Sequence, residues 1–311
     1  MKRFHIWPMA PALILLLNCP EAPAQQRKLS LAGFKAEHHT KLVRQEKIGE
    51  PVPEPPEGMF DRVGYDTMLG KMAAYVSPDP KDGKKHPIII WRVGGFANSI
   101  GGTEWEKAEP DNDQSAAQYR KAGVLMMYHS LRGGNMNPGF IEGCYGEVED
   151  LLAAAAFAKK LPYVDPEQIY LGGHSVGGTL ALLAAAMDKN PFKAVIAFGP
   201  IHSTAEYGPK NVPFDVEDKM EIAGRAPVIF LNTIGVDTWV IEGTKGNVES
   251  LRHMRKFSQN PKVRFVEVPG NHFEILAPLN AVVAKRILAA AKADGDGKFL
   301  LDEGELKGAM K

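Results

Sequence analysis

The stretch from Ile169 to Gly178 constrains the fold of this chain more than any other. An apolar run leads into the motif Gly173-x-Ser175-x-Gly177, and an Ala/Leu-rich segment over 179–187 follows. Strand, sharp turn and helix in this order form a nucleophile elbow, in which the serine has a strained backbone and the glycines let strand and helix approach closely. Ser175 is therefore a candidate nucleophile. The alternative is a glycine-rich turn that contains a serine by chance.

Strands and helices are predicted to alternate along most of the chain. Apolar runs typical of buried strands occur at 87–93, 124–128, 169–171, 194–198, 239–241 and 263–268, after an edge hairpin over 59–76. Helical segments occur at 108–122, 147–160, 179–187, 226–234, 251–257 and 274–291. This order predicts an α/β fold with a mostly parallel central sheet and helices on both faces.

The composition is that of a globular chain without a charge bias. Lysine plus arginine and aspartate plus glutamate each number 37, so the formal net charge at pH 7 is zero. Nucleic-acid binding needs a clustered excess of basic residues, so no nucleic-acid partner is expected. With 311 residues, 44% of them hydrophobic, the chain can bury one large core or two smaller ones.

The first residues have the pattern of an export signal. Lys2 and Arg3 precede an apolar run over 6–17, and small residues end the segment before Gln25. This pattern predicts a signal peptide over 1–24 and an exported protein, periplasmic or secreted. The apolar run is too short to span a bilayer, so no stable membrane insertion is expected.

The two cysteines bear on anchoring and on disulfides. Cys19 follows Asn18 in a context similar to a bacterial lipobox, but the preceding residue should be smaller, so lipid anchoring is the less favoured alternative. Cleavage of the leader would leave Cys144 alone, which excludes an intramolecular disulfide. Cys144 is predicted to be a packing residue rather than a nucleophile.

Three further segments complete the expected organisation. Residues 25–58 are polar and end in a proline cluster, which predicts an extended arm. Residues 59–291 form the predicted catalytic domain, and residues 292–311 form a C-terminal tail.

A histidine and an acid should complete the site around Ser175, because a serine hydroxyl needs a positioned base to take its proton. His272 follows the last predicted strand, where the base would stand in the chain order serine, acid, histidine. The acid is expected after the penultimate strand, within 242–250, where no aspartate occurs. Glu249 is the first choice, and its alternative role is that of an acidic residue in the first turn of a helix capped by Asn247. Glu242 is the second choice, with an acid elsewhere or none as the remaining alternative.

An oxyanion hole needs two backbone N–H groups that point at the developing negative charge. Val176, next to the nucleophile, should supply one of them. The other should come from Gly95 or Phe96, which follow a strand end where missing side chains let the backbone approach a substrate.

With these residues in place, the chain resembles the α/β-hydrolase superfamily, in particular dienelactone hydrolases and the catalytic domains of prolyl oligopeptidase-like serine peptidases. The resemblance covers about 59–291. Its most specific parts are Arg132-Gly133-Gly134-Asn135, Tyr145-Gly146-Glu147, Val164-Asp165-Pro166 and the elbow itself. Two positions depart from the family: Val93 replaces the histidine that usually opens the oxyanion loop, and the expected aspartate near Gly246 is absent.

The resemblance implies a serine hydrolase that cleaves a small ester, amide or peptide substrate through an acyl-enzyme intermediate, with no cofactor required for catalysis. The missing aspartate motivates an alternative from another class, a catalytically silent hydrolase fold that serves as an exported binding protein.

The C-terminal tail resembles half of an EF-hand. Asp294 and Asp296 would occupy loop positions three and five, the Lys298 carbonyl position seven, and Glu303 the bidentate position twelve. Lys292 stands at position one, where a cation repels calcium. Weak Ca²⁺ binding or none is therefore predicted, and the alternative is a solvated acidic tail.

Overall fold

The computed structural model of the chain describes residues 30–292 and 297–311. The predicted signal peptide over 1–24 and the tail aspartates Asp294 and Asp296 lie outside the described residues. Within the described ranges, no helix is both long enough and apolar enough to cross a membrane.

Eight strands form one sheet in the order β1-β2-β4-β3-β5-β6-β7-β8. Their bounds are β1 Asp61–Thr67, β2 Gly70–Val76, β3 His86–Arg92, β4 Leu125–His129, β5 Val164–His174, β6 Ala194–Phe198, β7 Asp237–Gly243 and β8 Val263–Val268. The hairpin β1–β2 is antiparallel, β2 is antiparallel to β4, and all other pairs are parallel. The predicted α/β fold is confirmed.

Helices cover both faces of the sheet. Their bounds are α1 Leu31–Glu37, α2 Gln118–Ala122, α3 Glu147–Ala158, α4 Val176–Ala185, α5 Lys219–Ala223, α6 Pro227–Phe230, α7 Val248–Phe257, α8 Leu276–Ala290 and α9 Glu303–Gly308. Buried side chains of α1, α3, α4, α6 and α7 form one apolar core, and those of α2, α8 and α9 form the other. On β5, Ile169 and Leu171 enter the first core while Tyr170 enters the second, as the two-residue repeat of a strand requires.

The helix predicted over 108–122 is much shorter, because only α2 forms. Asp113 occupies the segment before it, and its carboxylate accepts hydrogen bonds from the Ser115 hydroxyl at 2.6 Å and the Ala117 N–H at 3.1 Å. Such local side-chain bonds compete with helix formation and favour turns.

The N-terminal arm is not extended throughout, which corrects the prediction for 25–58. Helix α1 forms at its start, capped by the Ser30 hydroxyl, which accepts from the Gly33 N–H at 3.1 Å. Beyond α1 the arm crosses the loops that surround the elbow. Leu42 pairs with Phe214 in an antiparallel bridge, and the Ile48 N–H donates to a loop carbonyl, that of Gly133, at 2.7 Å.

The described part of the C-terminal tail packs on the domain and is not a solvated tail. Phe299 contacts Trp239 and Tyr170 with ring centroids 5.2 and 5.1 Å apart, and Leu306 of α9 is fully buried. Glu303, the predicted bidentate calcium ligand, pairs with Lys307 within α9 at 2.7 Å. Weak Ca²⁺ binding by this loop or none, with the Lys298 carbonyl as the ligand at position seven, stays a prediction.

Candidate active site

Ser175 has the backbone geometry of a nucleophile elbow. It lies between the end of β5 and the start of α4 with φ 55° and ψ −117°. Residues other than glycine rarely adopt this backbone conformation. Its N–H donates to the Phe198 carbonyl at 2.8 Å, which fixes the turn to β6. A Cβ at Gly173 would overlap the backbone of Gly177, so this crossing of strand and helix requires glycine.

His272 meets a buried carboxylate from the neighbouring strand end. The Nδ1 of His272, in the loop after β8, lies 2.8 Å from Oε2 of Glu242, which is fully buried near the end of β7. Glu242 also accepts the N–H groups of Gly243 at 2.6 Å and Asn247 at 2.8 Å. These bonds hold the carboxylate in place. Because it accepts from Nδ1–H, Nε2 of the ring is left as the proton acceptor.

The prediction that Glu249 would reach His272 is wrong. Helix α7 begins at Val248, which places Glu249 in its first turn on the solvent side, where its side chain is 82% exposed and pairs with Arg252 at 2.8 Å. The second choice, Glu242, is the carboxylate that contacts the imidazole.

Two glycines make room for the His272–Glu242 pair. A Cβ at Gly199 would lie 2.5 Å from the His272 Nδ1, and a Cβ at Gly246 would lie 2.5 Å from the Glu242 Oε1. The run from Glu242 to Gly246, a strand-end glutamate followed by two glycines, is the sequence signal that favours Glu242 over Glu249.

Ser175 and His272 lie at the same carboxyl edge of the sheet. His174, which precedes the serine, has its ring centroid 4.4 Å from that of His272, and its Nε2 is 3.0 Å from the His272 carbonyl oxygen. Burial, together with the nearby His272, lowers the pKa of His174 to about 3, so this ring is neutral. His174 is therefore a packing partner of the His272 loop, which leaves His272 as the candidate base.

The predicted oxyanion donors border the same edge. A Cβ at Gly94 would stand 3.3 Å from the Ser175 Cβ, so the loop after β3 passes next to the nucleophile. The Gly94 N–H already donates to Gln114 at 3.2 Å. In the ranges that the structure covers, the N–H groups of Val176, Gly95 and Phe96 donate to no protein acceptor. They remain available to a substrate oxygen, and their role stays a prediction.

A half-enclosed pocket adjoins these donors. Val176 and Phe96 line it, Glu46 borders it from the N-terminal arm, and Thr204 and Tyr207 border it from the polar segment after β6. Residues of the segment 141–147 also line it, so the pocket is built from five separate parts of the chain, and sequence reasoning could not have assembled it.

Two side chains of this pocket have altered acidity. Burial raises the pKa of the Cys144 thiol, so the thiol stays protonated, as expected of a packing residue. Burial also raises the pKa of the Tyr207 hydroxyl, while the nearby hydroxyls of Thr179 and Ser175 act in the opposite direction. Tyr207, which sequence reasoning missed, therefore lies close to the nucleophile.

A second serine–histidine pair lies elsewhere on the chain. The Ser250 hydroxyl is 2.9 Å from Nδ1 of His202, but Ser250 lies inside α7 and has no strained turn. Burial lowers the pKa of His202 to about 4, with a further contribution from His253. This pair lacks the elbow and the free N–H groups that surround Ser175.

Known proteins share this fold and part of this sequence. Residues 111–224 match the model of the prolyl oligopeptidase family. A polyketide transferase of Stachybotrys chlorohalonatus is 29% identical over 133 residues, which make up 39% of this chain and 43% of that protein. The chain therefore spans less than half the length of this relative.

Solved structures with the same fold include peptidases and an esterase. Dipeptidyl peptidase 4 of Porphyromonas gingivalis has a TM-score of 0.60 at 17% identity, over 74% of this chain and 35% of that one. An esterase of Pyrococcus furiosus has a TM-score of 0.59 at 16% identity, over 80% and 97%. An acylaminoacyl peptidase of Pyrococcus horikoshii has a TM-score of 0.54 at 17% identity, over 74% and 40%. The chain therefore has the α/β-hydrolase fold, and its residues 111–224 are similar to the prolyl oligopeptidase family.

Proposed function

We propose that the chain hydrolyses a small ester, amide or peptide through an acyl-enzyme on Ser175. The observation that supports this most is the 2.8 Å contact between His272 Nδ1 and the buried Glu242, at the sheet edge where Ser175 has its strained turn. Nucleophile, base and acid thus come from the ends of three strands in the order that such hydrolases use.

Acylation begins when the Ser175 oxygen attacks the substrate carbonyl carbon while His272 Nε2 takes the hydroxyl proton. The negative charge on the carbonyl oxygen is stabilised by the N–H of Val176 and that of Gly95 or Phe96. Glu242 accepts from Nδ1–H and stabilises the imidazolium. His272 then gives the proton to the leaving oxygen or nitrogen, the bond to the acyl carbon breaks, and the acyl-enzyme remains.

Deacylation repeats these steps with water as the nucleophile. His272 takes a proton from the water, the hydroxide adds to the acyl carbon, and the proton passes to the Ser175 oxygen as the ester bond breaks. The carboxylic acid product leaves, and the free hydroxyl and neutral imidazole are restored.

The first test is Ser175→Ala, which should abolish both hydrolysis of p-nitrophenyl acetate and labelling by a fluorophosphonate. Because Ser250 also contacts a histidine, Ser250→Ala is the matched control, and it should retain labelling and turnover. Labelling that survives in Ser175→Ala but disappears in Ser250→Ala would identify Ser250 as the nucleophile and refute the proposed mechanism.

The alternative of a catalytically silent binding protein was motivated by the absent aspartate. Glu242 supplies a carboxylate to His272, so the absence of an aspartate is no longer a reason to expect an inactive site. A folded protein that no fluorophosphonate labels would nevertheless support the silent fold.

We further propose export with cleavage before Gln25, supported by the sequence pattern of residues 1–24. N-terminal sequencing of the exported protein should begin at Gln25. A protein retained in the cytoplasm with Met1 intact would contradict export.

A further inference from the structure

Three buried polar atoms without a hydrogen-bond partner line the pocket next to Val176 and Phe96. They are the Glu147 Oε2, the Thr204 Oγ1 and the Tyr207 hydroxyl, and none has full hydrogen-bond geometry with another described residue, although the Ser175 and Thr179 hydroxyls lie near that of Tyr207. Glu147 is 2% exposed and Thr204 is 1% exposed. Buried polar groups are almost always paired, because an unpaired one loses its hydration without compensation. The three atoms therefore indicate that the pocket holds a polar group.

The orientation of the Glu147 carboxylate is fixed by its other oxygen. Its Oε1 accepts from the Asn98 side-chain amide at 3.0 Å and from the Glu142 N–H at 2.7 Å. Oε2 is therefore left to the pocket. A carboxylate oxygen only accepts hydrogen bonds, so the matching group of a ligand must be a donor.

The charges around the pocket favour an uncharged donor. Arg92 lines the same pocket, is 2% exposed, and donates to the carbonyl of Ala97. Its positive charge offsets the negative charge of Glu147 and would repel an ammonium group, and Glu46, which also borders the pocket, is paired with Arg44. A hydroxyl group fits this balance, since it can donate to Glu147 and also accept from Thr204 or Tyr207.

The position of the pocket identifies the part of the substrate that enters it. A leaving group must lie beside His272 to receive its proton, and His272 does not line this pocket, whereas Val176 and Leu180 of α4 do. The pocket therefore extends from the carbonyl on the acyl side.

We infer that this pocket binds a hydroxyl group on the acyl part of the substrate, with Glu147 as its acceptor and Thr204 and Tyr207 as its further partners. The inference rests on the proposed function and names its substrate class: esters or amides of small hydroxylated acids.

The experiment compares p-nitrophenyl 3-hydroxybutyrate, p-nitrophenyl butyrate and p-nitrophenyl 3-aminobutyrate. The wild-type protein should hydrolyse the hydroxylated ester with a kcat/KM about tenfold above that of the butyrate, the effect of one hydrogen bond to a charged group. The aminated ester should not be preferred over the butyrate, because Arg92 opposes its charge.

Glu147→Gln tests the acceptor. The amide oxygen would still accept from Asn98 and Glu142, so the amide NH₂ would face the pocket, and the ratio of the two kcat/KM values should fall to about one. Glu149→Gln is the matched control. Glu149 lies in the same helix and also has an unpaired buried oxygen, but it does not line the pocket, and its other oxygen pairs with Lys35. It should keep the wild-type ratio.

Thr204→Val provides a second variant that leaves the bonds of Glu147 untouched, and it should lower the ratio several-fold. Equal kcat/KM values for the hydroxylated and plain esters in the wild-type protein would overturn the inference, as would a preference for the aminated ester or an unchanged ratio in both Glu147→Gln and Thr204→Val. Fluorophosphonate labelling separates the two claims. If Ser175 is labelled and no hydroxyl preference appears, the inference alone fails, whereas absence of labelling refutes the proposed function.

Discussion

At the residue scale, Ser175 and Glu242 each lower the stability of the fold when considered alone, Ser175 through its strained backbone and Glu242 through its lost hydration. The positive φ of Ser175 costs about 1–3 kcal/mol, and the turn keeps it through the bond to Phe198 and the close crossing at Gly173. Glu242 is a fully buried carboxylate, and two backbone N–H groups and the His272 ring compensate for its lost hydration. Both arrangements are explained if the site performs acyl transfer.

Glu242→Gln should lower kcat for p-nitrophenyl acetate by about 10³–10⁴-fold, as loss of the triad carboxylate does when geometry is retained. An amide cannot stabilise the imidazolium, and its NH₂ group can favour the wrong tautomer of His272. Steady-state kinetics on the purified variant measure the effect. Glu249→Gln is the control and should keep wild-type kcat, because the one ion pair of Glu249 among the described residues is with the exposed Arg252. A large loss in Glu249→Gln with little loss in Glu242→Gln would contradict the assignment.

At the scale of elements, the parts that sequence predicted are those fixed by local pattern. Continuous apolar runs identified the central strands, and the glycine-bracketed serine identified the elbow, because both patterns are short-range. The N-terminal arm was different, since its course depends on distant contacts such as Leu42 with Phe214. Glu249 is a different case, because its alternative role in the first turn of a helix capped by Asn247 could be read from the local sequence, and the structure has that helix.

Arg225 connects three segments that are far apart in the sequence: the N-terminal arm, the loop before α3 and helix α5. Its guanidinium is fully buried, pairs with Glu221 of α5 at 2.6 Å, donates to the Glu142 carbonyl at 2.8 Å, and donates to Thr40 of the arm at 2.6 Å. It also lies over the ring of Phe214, 4.2 Å from the centroid.

Arg225→Ala should lower the free energy of unfolding by about 3–5 kcal/mol, because it leaves the buried Glu221 carboxylate without its cation. Urea denaturation measures the loss, and limited proteolysis should cut the arm near Thr40 sooner in the variant. Arg252→Ala is the control, since its ion pairs are half exposed and should contribute less than about 1 kcal/mol. Equal losses in the two variants would refute the role of Arg225.

At the scale of the whole molecule, the sheet separates two apolar cores. The N-terminal arm adds side chains to one of these cores, and the C-terminal tail adds side chains to the other. The arm adds Leu31 and Phe34 to the core on the α4 side, while the tail adds Phe299 and Leu306 to the core on the α8 side. The tail also reaches the loop of the candidate base, because a Cβ at Gly270 would lie 3.1 Å from the Met310 side chain. Packing of the last residues therefore supports the position of His272 as well as the stability of the fold.

Stability of the whole chain should also depend on pH through Glu104. This carboxyl is 2% exposed, and burial raises its pKa from 4.5 to about 7, against the opposing effect of the Gly101 N–H that donates to it at 2.9 Å. Because the folded chain binds this proton more tightly than the unfolded chain, the contribution to stability is fully present below about pH 4.5. It is lost as the pH rises through about 7.

Glu104→Gln keeps a neutral group at this position at every pH, so it should be more stable than the wild-type protein at pH 8, by up to about 3 kcal/mol, and similar to it at pH 4.5. Urea denaturation at pH 4.5, 6 and 8 measures the difference between the two proteins. Glu109→Gln, at an exposed carboxylate five residues along, should follow the wild-type curve. If the curves of Glu104→Gln and the wild-type protein ran parallel across this range, the buried Glu104 would not be the titrating group, because only a group whose proton affinity changes on folding can make stability depend on pH.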